Sequence, residues 1–199
     1  MKKTRLVAVA SGVVLAVAAQ LAAAAKGPEY TYAELGYVYS NGDDIDGNGF
    51  DANISFGATD LIFLKFGYQR DWLDVDGVDP GVDANKFLIG GGAHYTVMDK
   101  LDLVGSLSYV DIEYSGIVPS QGDDGYEAAL GVRSMLSKDL ELNGFVSYVT
   151  TGNVANNDDS DTVYSLGGVY KLNKDFSLVG NLDFSDVADQ YGVGVRLAF

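Results

Sequence analysis

The stretch Phe50-Asp51-Ala52-Asn53-Ile54-Ser55-Phe56-Gly57-Ala58 alternates apolar and polar residues without a break. Successive side chains of a β-strand point to opposite faces, so this period of two predicts a strand whose two faces meet different surroundings. The C-terminus repeats the pattern, with one face made of Tyr191, Val193, Val195, Leu197 and Phe199. The two stretches together indicate an all-β chain built of two-faced strands.

Ten segments of the chain show this alternation, and most are long enough for a tilted strand to cross membrane hydrocarbon. They span 30–40, 48–58, 61–72, 84–97, 101–114, 125–136, 140–150, 162–172, 176–186 and 189–199. Tight polar turns at 59–60, 98–100, 137–139 and 173–175 alternate with longer acidic loops at 41–47, 73–83, 115–124 and 151–161, and a short fifth loop lies near 187–188. This layout predicts an up-and-down antiparallel transmembrane β-barrel of about ten strands, with both termini on the short-turn, periplasmic side.

The aromatic residues indicate which face of the barrel looks outward, because a soluble lipocalin-like or fatty-acid-binding barrel shows the same period with its apolar face inward. Each segment carries one aromatic residue on the apolar face near its long-loop end. These residues are Tyr39, Phe50, Tyr68, Phe87, Tyr109, Tyr126, Tyr148, Tyr164, Phe184 and Tyr191. A girdle of rings at one level is typical of the boundary between hydrocarbon and lipid head groups. We therefore expect the apolar face to contact lipid in the cell outer membrane.

The opposite face is rich in glycine and serine and carries the charged residues of the strands. They are Glu34, Asp51, Lys65, Lys86, Asp102, Glu127, Arg133, Glu141, Lys171, Asp183 and Arg196. A lysine or arginine facing lipid at mid-depth costs about 2–4 kcal/mol, so this face is expected to line a narrow hydrated lumen. Two interpretations stay open: opposite charges on neighbouring strands pair and fill the lumen, or they form the selectivity filter of a small pore.

The first 25 residues have the three parts of a secretory signal peptide. Met1 to Arg5 is basic, 6–17 is uncharged and apolar, and Ala23 and Ala25 supply the small residues that the peptidase needs. Cleavage after Ala25 would leave a mature chain of residues 26–199, which forms the barrel. The alternative is an uncleaved helical anchor, since 6–25 is nearly long enough to span a bilayer.

The composition excludes several classes of function. Without the three basic residues of the signal, the chain has 10 basic and 28 acidic residues, a net charge of −18. This excess argues against nucleic acid as a partner and suits cations, including divalent ions that bridge surface charges. The chain has no cysteine, so a disulfide framework, a thiol nucleophile and a lipid anchor on cysteine are all excluded.

The C-terminal residues Leu197-Ala198-Phe199 resemble the signal by which outer-membrane barrels are recognised for assembly. The mature chain is similar in layout to the OmpA-like and OmpX-like small barrels, although those have eight strands. More narrowly, Tyr30-Thr31-Tyr32-Ala33-Glu34-Leu35-Gly36-Tyr37 and 125–134 resemble short barrels of plant-associated and environmental proteobacteria, often labelled quorum-factor or porin-like. The resemblance implies a monomer in contact with outer-membrane lipid and lipopolysaccharide, and with the barrel-assembly machinery through Phe199. It implies no active-site chemistry.

The candidate residues for chemistry favour a non-enzymatic protein. His94, which is the one histidine of the chain, has inward parity near the short-turn end, and no positioned nucleophile or partner for a general base accompanies it. We interpret it as a polar residue of the lumen. The sequence leaves three candidate functions open: a structural or surface-interaction barrel, a small ion or solute pore, and a barrel enzyme acting on outer-leaflet lipid. The enzyme would need an outward-facing catalytic cluster, which the sequence does not display.

One acidic loop matches part of a calcium-binding motif. Asp44-Ile45-Asp46-Gly47-Asn48-Gly49 has the oxygen ligands and the glycine of the first six positions of an EF-hand loop. The match then ends, because position 12 is Ser55 and the chain from Phe50 onward belongs to a strand. The two interpretations are a solvated acidic turn and a weak calcium site held by Asp44, Asp46 and Asn48. No other cofactor is expected.

If the loop holds calcium, the site should be weak because the closing bidentate glutamate is missing. We expect a dissociation constant of about 10⁻⁴–10⁻³ M, the range of extracellular calcium modules. Calorimetry on the folded protein would compare the wild type with Asp44→Asn/Asp46→Asn, and Asp123→Asn/Asp124→Asn serves as a control that removes the same charge from another acidic loop. Calcium uptake that is absent, or equal in all three proteins, would identify the loop as a solvated acidic turn.

Overall fold

A computed structural model describes residues 27–43, 45–75, 81–116, 121–152 and 159–199. They form ten antiparallel strands: β1 (Tyr32–Asn41), β2 (Ile45–Gly57), β3 (Ile62–Val75), β4 (Val82–Met98), β5 (Leu101–Ser115), β6 (Gln121–Met135), β7 (Leu140–Thr151), β8 (Asp159–Lys171), β9 (Phe176–Phe184) and β10 (Asp189–Ala198). Each strand pairs with its neighbours along the chain, and β1 pairs with β10 to close the sheet into a barrel. The predicted ten-stranded up-and-down barrel is confirmed.

Several strands differ in extent from the sequence prediction. β2 begins at Ile45 rather than at 48, and β3 and β4 both continue into the predicted 73–83 loop. The backbone ladder runs past the end of the apolar band, so that Asp46 pairs in register with Asp74. Hydropathy marks only the part of a strand that faces hydrocarbon, and therefore misses these polar extensions. The predicted signal peptide, 1–25, lies outside the described residues. In the described part of the chain, no helix is long and apolar enough to cross a membrane.

The outer face of the barrel is apolar and exposed. Leu130 and Leu107 keep 68% and 61% of their surface accessible, and aliphatic side chains continue around the wall. The aromatic girdle is present: Tyr39 and Tyr191, Tyr68 and Phe87, and Tyr109 and Tyr126 are register partners with ring centroids 6.5, 4.9 and 5.9 Å apart. A continuous exposed apolar belt of this kind is what lipid contact requires and what soluble monomers avoid.

The closing seam between β1 and β10 is held inside the barrel by an ion pair. Glu34 and Arg196 are direct register partners, as their parity and depth in the sequence predict. The Arg196 Nε donates to Glu34 Oε1 at 2.5 Å, and both side chains are largely buried. The seam therefore combines a backbone ladder from Tyr32 to Asn41 with a charge-assisted hydrogen bond near its short-turn end.

The lipid-facing assignment of the belt can be tested with a charge at Leu130. Leu130→Arg should lower the free energy of unfolding in lipid vesicles by about 2–4 kcal/mol, because the guanidinium would lie in hydrocarbon. Val187→Arg is the matched control, since Val187 is equally exposed (67%) but lies in the β9–β10 loop, outside the strands. Equal effects of the two substitutions would contradict the membrane-facing belt.

The seam pair can be tested with a double-mutant cycle. Glu34→Gln and Arg196→Gln should each destabilise the barrel, and their effects should be non-additive with a coupling of roughly 1–3 kcal/mol, because each leaves its partner buried without a counter-charge. The exposed neighbours Lys138 and Asp139, 3.7 Å apart at a turn, provide a control cycle with coupling near zero. Additive effects at the seam would show that the pair does not hold it.

Candidate functional site

The lumen is the candidate functional site, and it contains two cavities. The lower cavity, nearer the short turns, has a volume of about 300 Å³, and the upper cavity, nearer the long loops, has about 170 Å³. Asn181 on β9 lines both of them, so they adjoin at its level. The small inward residues leave this room: at Gly36 and Gly67, a Cβ atom would collide with the side chains of Asp51 and Asn53.

The short-turn end of the lumen is covered by Tyr30, which precedes β1. Its ring stacks on His94 with a centroid distance of 3.8 Å and an interplanar angle of 9°, and it lies 5.3 Å from the ring of Phe63. Its hydroxyl donates to Asp102 Oδ2 at 2.9 Å, and the Arg133 guanidinium lies 4.5 Å from the ring centre. These partners come from β3, β4, β5 and β6, across the lumen from β1. We call Tyr30 and these four side chains the floor.

The backbone around Tyr30 is fixed at both sides. Ser55 Oγ donates to the Tyr30 carbonyl at 2.7 Å, and Arg133 Nη2 donates to the Glu29 carbonyl at 2.9 Å. The Glu29 carboxylate also pairs with Lys171 Nζ at 2.9 Å. The segment 27–31 is thus bound to β2, β6 and β8, and it places Tyr30 in the lumen instead of continuing β1.

The lower lumen contains paired charges. Arg133 makes a bidentate contact with Glu141 at 2.7 and 3.1 Å, and both side chains are almost completely buried. Lys65 on β3 and Glu127 on β6 also form an ion pair, with Nζ and Oε1 2.9 Å apart, although their strands are three apart in the barrel. With the seam pair of Glu34, these contacts confirm in this half the prediction that inward charges pair. The carboxylates of Glu34, Glu127 and Glu141 each have a cationic partner, as a low-dielectric site demands, whereas Asp102 accepts hydrogen bonds from the Tyr30 and Thr96 hydroxyls.

The upper cavity differs, because its charges are not paired. Among the described residues, neither Asp51 nor Asp183 has a cationic group within 4.0 Å, and Lys86 forms no ion pair. Asp51 accepts a hydrogen bond from a neutral neighbour instead, the Asn53 amide, at 2.6 Å. The pairing prediction is therefore wrong for this half of the lumen. The cavity has enough room for water to solvate the charges.

His94 lies where its parity predicts, inside the lumen near the short turns. Its Nδ1 is 3.4 Å from Asp102 Oδ2 without hydrogen-bond geometry, and its ring is covered by Tyr30. The neighbouring Thr96 hydroxyl donates to the same carboxylate, at Oδ1. The Tyr30 ring covers one face of His94, and this arrangement supports a structural role for the histidine in the floor.

The predicted calcium ligands lie at the long-loop end of the barrel. Asp46 and Asn48 are in β2 on its outer face, and Asp46 Oδ1 accepts a hydrogen bond from Asn41 Nδ2 at 2.8 Å. Asp44 lies outside the described residues, and within those residues no group of three or more acidic or histidine side chains is close enough to hold a metal ion. The calcium site therefore stays a prediction.

Two lumen residues were missed by the sequence analysis. Tyr30 was assigned to the first strand, although an inward-parity tyrosine close to Pro28 on a face of small residues was a signal of its different role. Asp71 was not counted among the inward charges, yet it is buried and accepts a hydrogen bond from Gln69 at 2.8 Å. It lies inside the predicted segment 61–72 and has the same parity as Lys65, so its inward position could have been read from the sequence.

Comparison with known proteins supports the fold. No protein-family model matches the chain, and no curated protein matches it. Among solved structures, the chain is similar to the translocator domain of autotransporter NalP from Neisseria meningitidis, with 15% identity, a TM-score of 0.51 and coverage of 100% of this chain and 98% of the other. It is also similar to the β domain of the Bordetella autotransporter Brka (14% identity, TM-score 0.55, 84% of this chain and 98% of that one) and to the NanC porin (10%, 0.51, 84% and 100%). The chain thus has the fold of outer-membrane β-barrels, while its narrower resemblance to the quorum-factor or porin-like barrels stays a prediction.

Proposed function

We propose that this protein is a non-enzymatic outer-membrane barrel whose lumen is closed near the periplasm and whose role is structural or depends on its acidic outer surface. The observation that carries the proposal is the floor: Tyr30 fills the short-turn end of the lumen and contacts four strands. A lumen blocked by buried aromatic rings and bidentate ion pairs does not offer a continuous aqueous path.

The location and the partners follow from the two surfaces of the barrel. The apolar belt with its aromatic girdle fits outer-membrane lipid and lipopolysaccharide, and the C-terminal Phe199 fits recognition by the barrel-assembly machinery. The acidic residues concentrate at the long-loop end, which in this topology faces the environment. Divalent cations would reduce the repulsion there, as between Asp111 and Asp124, which are direct register partners. A closed barrel of this kind needs no second subunit, and we expect a monomer.

A small pore is the second candidate, and the adjoining cavities favour it. Both border Asn181, so the hydrated part of the lumen extends from the upper cavity down to the floor. Displacement of the segment 27–31 would then complete a path through the barrel. In this alternative the floor is a gate rather than a permanent closure.

Planar-bilayer recording of the refolded protein tests the proposal. We expect the wild type to show no large open pore, and at most small, flickering conductance with a mild preference for cations, which the acidic loops attract. Tyr30→Ala should raise the unit conductance several-fold, because it removes the ring that fills the short-turn end. The increase would identify the floor as the element that prevents conduction.

Tyr95→Ala is the matched control for this experiment. Tyr95 lies on the outer face near the same end of the barrel, where 68% of its surface is exposed. This variant should conduct like the wild type. A stable wild-type conductance that admits sugar-sized solutes would overturn the closed-barrel proposal and make the protein a porin.

A further inference from the structure

The upper cavity differs from the rest of the lumen in its chemistry, beyond what a closed structural barrel requires. The carboxylates of Glu34, Glu127 and Glu141 in the lower half each have a basic partner within 3 Å. Asp51 and Asp183 line the upper cavity together with Lys86, and among the described residues no cationic group lies within 4.0 Å of either carboxylate. The upper cavity thus holds two carboxylates and one ammonium group, and its net negative charge leaves room for one cationic partner from outside.

We propose that the upper cavity binds a small amine-bearing, polyhydroxylated solute of the amino-sugar class. Asp51 and Asp183 would receive its ammonium group. Four side-chain amides, those of Asn53, Gln69, Asn181 and Gln190, also line the cavity. Amides match hydroxyl groups because both donate and accept, although Asn53 already donates to Asp51 and Gln69 to Asp71.

The remaining features of the cavity narrow the ligand further. Its volume of about 170 Å³ is below the usual range of drug-sized sites, which begins at about 300 Å³, so it suits a single ring. Lys86 lines the same cavity as a further donor, and its one positive charge against two carboxylates leaves a net negative charge that suits one ammonium group and not two. A bare metal ion fits less well, since the described residues bring no three metal-ligating side chains together. The floor separates the cavity from the short-turn mouth, so the solute enters from the long-loop end.

Nuclear magnetic resonance titration of the folded protein in detergent micelles tests this site. Glucosamine, at a pH low enough to protonate its amine, is compared with glucose, which has a hydroxyl in its place, at matched ionic strength. We expect saturable shifts of the Gly67 and Gly192 amides with glucosamine and a dissociation constant on the order of millimolar. Glucose should bind at least about tenfold more weakly, because it forms no charge-assisted hydrogen bond.

Two double variants distinguish binding by the cavity carboxylates from attraction by the overall negative charge of the protein. Asp51→Asn/Asp183→Asn should weaken glucosamine at least about tenfold. Asp111→Asn/Asp124→Asn removes the same charge from outward-facing register partners and should leave the affinity within about twofold. Folding of each variant is checked by the gel shift between unboiled and boiled samples. If Asp51→Asn/Asp183→Asn does not fold, the comparison of glucosamine with glucose on the wild type still tests whether the cavity prefers the amine.

Three results would overturn the site. They are equal binding of glucose and glucosamine, equal weakening by the two double variants, and displacement of glucosamine by calcium at matched ionic strength, which would indicate an inorganic cation site. The site does not depend on whether the barrel conducts. The bilayer recordings can therefore contradict the closed barrel without contradicting the amine site, and the titration can contradict the site without contradicting the closed barrel.

Discussion

Hydrocarbon offers no hydrogen-bond partner to a peptide group, and the structure of this barrel depends on that constraint. An open sheet would leave the edges of β1 and β10 unpaired in lipid, so the two strands must join, and they do so over their full length. Once the sheet is closed, the period of two in every strand separates an outside from an inside. The apolar belt, the aromatic girdle and the polar lumen all follow from this closure.

Closure with ten strands also creates the space that the interior must accommodate. Eight strands enclose a lumen that side chains just fill, whereas ten leave more room. In this protein the short-turn end is closed by a segment that precedes the barrel, with Tyr30 stacked on His94 and hydrogen-bonded to Asp102. The upper end is not filled in this way, since glycines such as Gly36 and Gly67 let polar neighbours lie flat against the wall.

The sequence predicts what depends on strand periodicity and fails where contacts depend on barrel curvature. Ten strands, the outward face and the Glu34–Arg196 pair follow from parity and from the order of the strands, because adjacent strands fix both face and depth. Lys65 and Glu127 are three strands apart, and they meet only because the wall curves around the lumen. Tyr30 has the inward parity in the sequence, but periodicity does not show that the chain before β1 folds into the lumen.

The two halves of the lumen differ in how their charges are arranged. Arg133 and Glu141 are almost completely buried, and an ion in such a place without a partner would lose its solvation without compensation. Asp51 and Asp183 border the upper cavity with Lys86 and form no ion pair within 4.0 Å among the described residues, so water or a bound solute would have to supply their solvation. The acidic long-loop surface lies above this cavity and has the same sign. Their potentials add, so the upper lumen attracts cations and repels anions, while the ion pairs of the lower half contribute little to the field.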